Sequence, residues 1–243
     1  MLRRIAFSTV VLLLAACGGG DTLDLQGVWS GTYFADGASN PPVTLKAIIG
    51  SAGPTLLFDG SGYVYAMSQR AGSNLAATLT VYPPYGFIFT GGKRTLSATM
   101  AGSATDDSMT GQLQIDGATA QFSMKSSTPY TGTPSVVAGS WQGVDLGSSG
   151  VALTVAADGT AIGFDSFGCQ LGGHITPVSG GANLFTVILH SKSGGVLCGL
   201  DLDGLAYESD TDEFDRFGHG AGTYYVMVVY NVNEAMVTEF RVQ

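Results

Sequence analysis

The chain is short of charge, of cysteine and of helix-forming residues, and each shortage excludes something. Charged residues make up 12% of its 243 positions, with 10 Lys and Arg against 19 Asp and Glu, a formal charge of −9. So acidic a chain, without a basic stripe, lacks the phosphate-neutralising surface that nucleic-acid binding needs. Cysteine occurs three times, at Cys17, Cys169 and Cys198, and never as Cys-x-x-Cys, so the paired-thiolate metal and redox motifs are absent. There is no His-Glu-x-x-His, no Gly-x-Ser-x-Gly and no glycine-rich phosphate loop entering a helix. His174, His190 and His219 are scattered, and no cofactor is implied. Glu, Lys and Gln are scarce, and apolar residues rarely recur at helical spacing. Short alternating runs bounded by Gly (36 residues), Asp-Gly and Pro take their place, a pattern that predicts an all-β chain.

The N-terminus, MLRRIAFSTVVLLLAAC, has a basic start at Arg3 and Arg4 and an apolar run, Ile5 to Leu14. That run is too short to cross a bilayer core, which takes about 20 apolar residues. Its close, Leu14-Ala15-Ala16-Cys17, resembles the lipobox of bacterial lipoproteins. The resemblance implies that residues 1–16 are a signal peptide, that Cys17 is acylated after cleavage, and that 17–24 form a glycine-rich tether. Gly18 after the cysteine implies sorting to the outer membrane, with periplasmic or surface display left open. Several acyl chains make such attachment effectively permanent. Loss of Arg3 and Arg4 moves the formal charge from −9 to −11.

In an exported chain the two remaining thiols, Cys169 and Cys198, most simply pair as a disulfide around a loop of about thirty residues. The alternative is a metal or nucleophilic role, and His174 is the one histidine within five residues of either cysteine.

The clearest local pattern is MTGQLQIDGATAQFSMK, 109–125. Asp116-Gly117 has the chemistry of a two-residue hairpin turn. Folding about it pairs Ile115 with Ala118, Leu113 with Ala120, Gly111 with Phe122 and Met109 with Met124 on a dry face. Gln114–Thr119, Gln112–Gln121 and Thr110–Ser123 form the wet one. Further strands are expected at 26–34, 42–49, 54–59, 62–68, 75–82, 86–90 and 94–101. In the second half they are expected at 138–145, 151–156, 160–166, 168–176, 183–191, 196–207, 222–230 and 235–242. The run TYYVMVVY, 223–230, is apolar on both faces and predicts a central or interface strand. Asp59-Gly60 and Asp158-Gly159 read as turns, the first half carrying extra residues before its Asp-Gly.

Residues 127–135, with Pro129 and Pro134, read as a linker. On its two sides the order of parts repeats, each half opening on Gly-x-Trp-x-Gly: GVWSG at 27–31 and GSWQG at 139–143, which hold the chain's two tryptophans, Trp29 and Trp141. The expected architecture is therefore two tandem small antiparallel meander barrels, 25–126 and 136–243, from an internal duplication. Each indole plugs one end of its own barrel. One continuous sheet built from both halves is the competing arrangement.

A Gly-x-Trp opening strand resembles lipocalin-like and avidin-like barrels. AGSWQGVDLGSSGVALTVAADGTAIGFDS, 138–166, is similar to the start of an avidin-family domain. Where that family holds biotin with a tyrosine hydroxyl this chain has Phe164, and where it walls the ligand with several tryptophans this half has Trp141 alone. The resemblance implies the shape without biotin.

GLDLDGLAYESDTDEFDRFGHG, 199–220, carries seven of the nineteen acids. Asp210-x-Asp212 resembles the start of a calcium loop, but an EF-hand needs glycine at its sixth position and glutamate at its twelfth. Asp215 and Ala221 stand there. The expectation is a solvated acidic loop, with a weak calcium site as the alternative.

Together these features point to a non-enzymatic outer-membrane lipoprotein that binds or contacts something outside the inner membrane, an unknown protein or small apolar ligand, through a barrel end or the surface between the two barrels. A carrier of a small apolar ligand or lipid in a barrel interior is the alternative, and an enzyme assembled from distant residues is a third reading. An open apolar interior would favour the carrier and a filled one the contact protein.

Overall fold

Alternating side chains and glycine-marked turns build sixteen strands in a computed structural model. The structure describes residues 23–35, 41–51, 54–67, 74–127, 135–147, 149–179, 183–192, 198, 201–218 and 222–243. Cys17, the signal segment 1–16, most of the tether and linker residues 128–134 lie outside the described residues, as does His219. The first half contains β1 (Gly27–Ala35), β2 (Val43–Ile49), β3 (Thr55–Asp59), β4 (Val64–Met67), β5 (Ala77–Tyr82), β6 (Leu96–Ala104), β7 (Ser108–Ile115) and β8 (Ala118–Ser126). The second contains β9 (Gly139–Asp145), β10 (Gly150–Val155), β11 (Thr160–Asp165), β12 (Gln170–Pro177), β13 (Leu184–Lys192), β14 (Asp201–Ser209), β15 (Tyr224–Tyr230) and β16 (Ala235–Val242).

Each half is a separate eight-stranded antiparallel meander, closed by β1 on β8 and by β9 on β16. Closure removes the free sheet edges that would template aggregation. The β7–β8 hairpin has the expected register throughout, Ile115 opposite Ala118 and Met109 opposite Met124. Asp116 and Gly117 take positive φ of 48° and 83° at its turn.

The Gly-x-Trp-x-Gly frame does the same work twice. Gly27 and Gly139 hold φ of 142° and 154°, which side chains disfavour. Two residues on, Trp29 and Trp141 are buried, and each indole N–H donates to a carbonyl four residues earlier, Leu25 and Val137, both at 2.9 Å. Gly31 lies so near β8 that a Cβ would stand 1.9 Å from the Ser123 carbonyl oxygen, and at Gly143 one would meet the Phe240 ring at 2.5 Å.

One expectation shifts. Residues 86–90 form no strand: they belong to a connection from β5 to β6 held by turns, with the Phe87 N–H donating to Pro84 and the Phe89 N–H to Lys93. Of the strand expected over 196–207, the described part runs from Asp201, and residues 196, 197, 199 and 200 lie outside the described residues. Asp59-Gly60 and Asp158-Gly159 both stand at turns as expected, and by topology Asp59 corresponds to Asp165, each ending the third strand of its barrel.

Strand β15 is buried from Tyr224 to Val229, as a strand apolar on both faces must be. Tyr225, Met227 and Val229 face the second barrel's interior. Val226 and Val228 face outward into a third apolar cluster shared with Ile48, Leu56, Phe58 and Val64 of the first barrel. The barrels therefore dock side by side, β2–β5 against β14–β16.

Candidate functional site

Among the described residues, each interior is packed with its own barrel's side chains, joined in the second by Tyr85. In the first barrel Met67, Met100, Met109 and Met124 surround Trp29 and Phe122, and a cavity of about 10 Å³ remains, the least a single water requires. In the second, Trp141 stacks on Tyr225 at 4.1 Å between ring centroids, and Phe185 and Phe240 complete the aromatic cluster.

The end of each barrel opposite its tryptophan is closed by a buried aspartate. Asp59 accepts the N–H groups of Ser61 and Tyr63 and the hydroxyls of Tyr33 (3.0 Å) and Tyr65 (3.2 Å). Burial holds its carboxyl above the usual range, and burial beside Asp59 pushes the Tyr33 hydroxyl up to about 12. With every oxygen committed, this cluster closes a turn. Asp165 repeats the motif, accepting the N–H groups of Phe167 and Cys169. Its tyrosine comes from the other barrel: Tyr85, on the β5–β6 connection, packs into the second core, meets Phe167 edge-on at 5.6 Å and points its hydroxyl at Asp165, 3.5 Å away. The disulfide between Cys169 and Cys198 is formed at this same end.

The acidic loop after β14 is not the solvated loop expected. Asp210 and Asp215 are exposed, but Asp212 and Glu213 turn into the seam between the barrels. Asp212 accepts the N–H groups of Arg216 (2.8 Å) and Phe217 (2.7 Å). Glu213 pairs with Lys46 of β2 and accepts the Tyr207 hydroxyl. Glu239, on β16 and fully buried, accepts the N–H groups of Glu213 (2.7 Å) and Phe214 (3.3 Å). Burial, with Asp212 beside it, pushes the Glu239 carboxyl up to about 7. Nothing draws Asp210, Asp212 and Asp215 together: among the described residues no three Asp, Glu, His or Cys side chains are grouped to hold a metal.

Among the described residues, two exposed surfaces stand out. The first is a rim where three loops meet at the Tyr85 end. Phe87, Ile88 and Val232 are 62%, 60% and 82% exposed, with Phe167 at 42%. A cleft of about 100 Å³ runs between the β5–β6 connection and the β15–β16 turn, floored by Pro83, Pro84 and Ala235 and edged by the Arg94–Glu234 ion pair (2.6 Å). The sequence reading missed this rim, taking Phe87 and Ile88 for strand residues. The second surface is the outer wall of β9–β12, with a groove of about 210 Å³ beside Phe164. Phe164, aligned by resemblance with a ligand-holding tyrosine, instead faces out of the barrel, 58% exposed. His190 pairs with Asp201 at 2.7 Å on the same barrel's exposed face, and His174 is exposed nearby.

No protein-family model and no curated protein matches this chain. Among solved structures, a protein of unknown function of the DUF3598 family from Nostoc punctiforme aligns over 90% of this chain and 96% of its own, at 12% identity and a TM-score of 0.24.

Proposed function

We propose that this chain is a lipid-anchored cell-envelope protein without catalytic activity, whose partner is a protein held by the outside of its barrels. The observation that carries this reading is a contrast: among the described residues both interiors are filled by side chains, while four large apolar side chains stand out at one end. Exposed apolar patches rimmed by polar groups mark contact sites, whereas a carrier needs a cavity of several hundred Å³.

The direction of the chain supports the same reading. β1 begins at the end of the first barrel away from the rim, and nine strand residues span roughly 30 Å. A chain held by acyl groups on Cys17 through the 17–24 tether presents the rim away from its own membrane.

Expression of Cys17→Ala in a lipoprotein-processing bacterium tests the anchor, which predicts transfer from the membrane to the soluble fraction. Phe87→Ser with Ile88→Ser tests the rim: the pair leaves the fold intact and abolishes partner capture. Capture unaffected by the pair contradicts the rim as the contact site.

A further inference from the structure

The outer wall of the second barrel is unevenly covered. Its β14–β16 side packs against the first barrel, while the β9–β12 side is bare and carries Ile162 at 59% and Phe164 at 58% exposure. Cross-strand pairing sets the outward residues in two rungs. One runs Gln142, Ala152, Phe164, Gln170, and the next runs Ser140, Thr154, Ile162, Gly172. Neighbouring strands stand about 4.8 Å apart, so the small Ala152 side chain leaves a trough between Gln142 and Phe164. This is the groove of about 210 Å³.

Its two walls differ in chemistry. Phe164 and Ile162 form an apolar wall, and Gln142, Ser140 and Thr154 face them with an amide and two hydroxyls. The Gln142 amide donates to the Ser140 hydroxyl at 3.3 Å, so the polar wall is already ordered. No charged side chain lines the groove, although the chain carries a formal charge of −9. This uncharged lining matches a neutral ligand, although the same rung continues to Arg241 beside Gln142 and to Lys192 beside Gln170, just beyond the two ends of the groove. A lipid tail is poorly served by a trough with one apolar wall open to water. A peptide cannot add as a strand, because the barrel is closed and its ladder groups are paired.

We propose that this groove binds a neutral carbohydrate chain. A pyranose ring has a C–H face that packs on an aromatic ring, and a rim of hydroxyls that both donate and accept. Phe164 supplies the platform, while Gln142 and Gln170 supply amides with both hydrogen-bonding senses. Ser140 and Thr154 extend that polar edge along the groove.

Electrophoresis of the full chain through native gels cast with dextran, galactomannan or hydroxyethylcellulose, with alginate as an acidic control, tests the proposal. The expected result is retardation in at least one neutral gel that persists when salt is added. Phe164→Ala weakens it about tenfold, and Gln142→Ala weakens it to a smaller degree. Both side chains are exposed, and circular dichroism checks that the variants fold. Phe87→Ser, at the separate rim, leaves the retardation unchanged. Absence of retardation in every neutral gel, retardation in alginate alone, or retardation that Phe164→Ala leaves intact overturns the proposal.

Discussion

Lys46, on the outside of the first barrel, pairs with Glu213 on a loop of the second, 167 residues away in sequence. Both side chains are largely buried, at 11% and 16% exposure, and the Lys46 ammonium also lies 5.8 Å from the Tyr207 ring centre. Breaking such a pair leaves the partner charge in an apolar seam, which costs more than the pair itself contributes. Lys46→Met is therefore expected to destabilise the docked barrels by about 2–4 kcal/mol. A double-mutant cycle with Glu213→Gln, read by urea unfolding, should show non-additivity. Strict additivity would mean the pair is not coupled.

Acidity strengthens the same seam. The folded-state value of about 7 at Glu239 lies above the ordinary 4.5, so the folded chain holds a proton that the unfolded chain releases. That contribution is complete below about pH 4.5 and is lost as pH rises through 7, a fall of roughly 2–3 kcal/mol. Asp59 and Asp145, also raised by burial, act in the same sense. Glu239→Gln should flatten much of the stability change between pH 5 and 8. A wild-type chain that gains stability over that interval would contradict the assignment.

Tyr85 ties the barrels together by closing the second with a residue of the first. Tyr85→Ala removes an aromatic side chain from the second core and should cost about 3–4 kcal/mol. It should also split a single thermal transition into two in differential scanning calorimetry. One sharp transition with an unchanged midpoint would show that the tyrosine does not couple them.

Reduction of Cys169–Cys198, separated by 29 residues, should lower stability by about 3–4 kcal/mol on the chain-entropy account. Because the docked barrels unfold in one transition, the loss should appear as a lowered midpoint of that transition, and in Tyr85→Ala it should fall on the second barrel alone. An unchanged midpoint on reduction would contradict a stabilising role for the disulfide.

Much of this fold was legible in the sequence wherever the signal was local. Asp116-Gly117 fixed the β7–β8 register because the turn chemistry and the alternation agree. The double-sided run in β15 announced a strand with apolar neighbours on both faces. Where partners are remote, the same reading failed. Phe87 and Ile88 have strand-like propensity, but Pro83 and Pro84 and two turns take the chain out of the ladder there. Glu213 read as solvated because its partner Lys46 lies 167 residues away, and Asp212 because the turn that aims the Arg216 and Phe217 N–H groups at it leaves no pattern in the sequence. The resemblance aligned Phe164 with a ligand-holding tyrosine and counted it as a departure from that site, and a period of two places it on the outer face of the barrel.

The measurement closest to the central claim is photocrosslinking in living cells with a benzophenone side chain placed at Phe87 on the rim or at Phe122 inside the first barrel. The account predicts a protein adduct from position 87, lost when Ile88 is changed to Ser, and none from position 122. A small-molecule adduct at position 122 with no adduct at 87 would contradict it, and would make the first barrel a carrier.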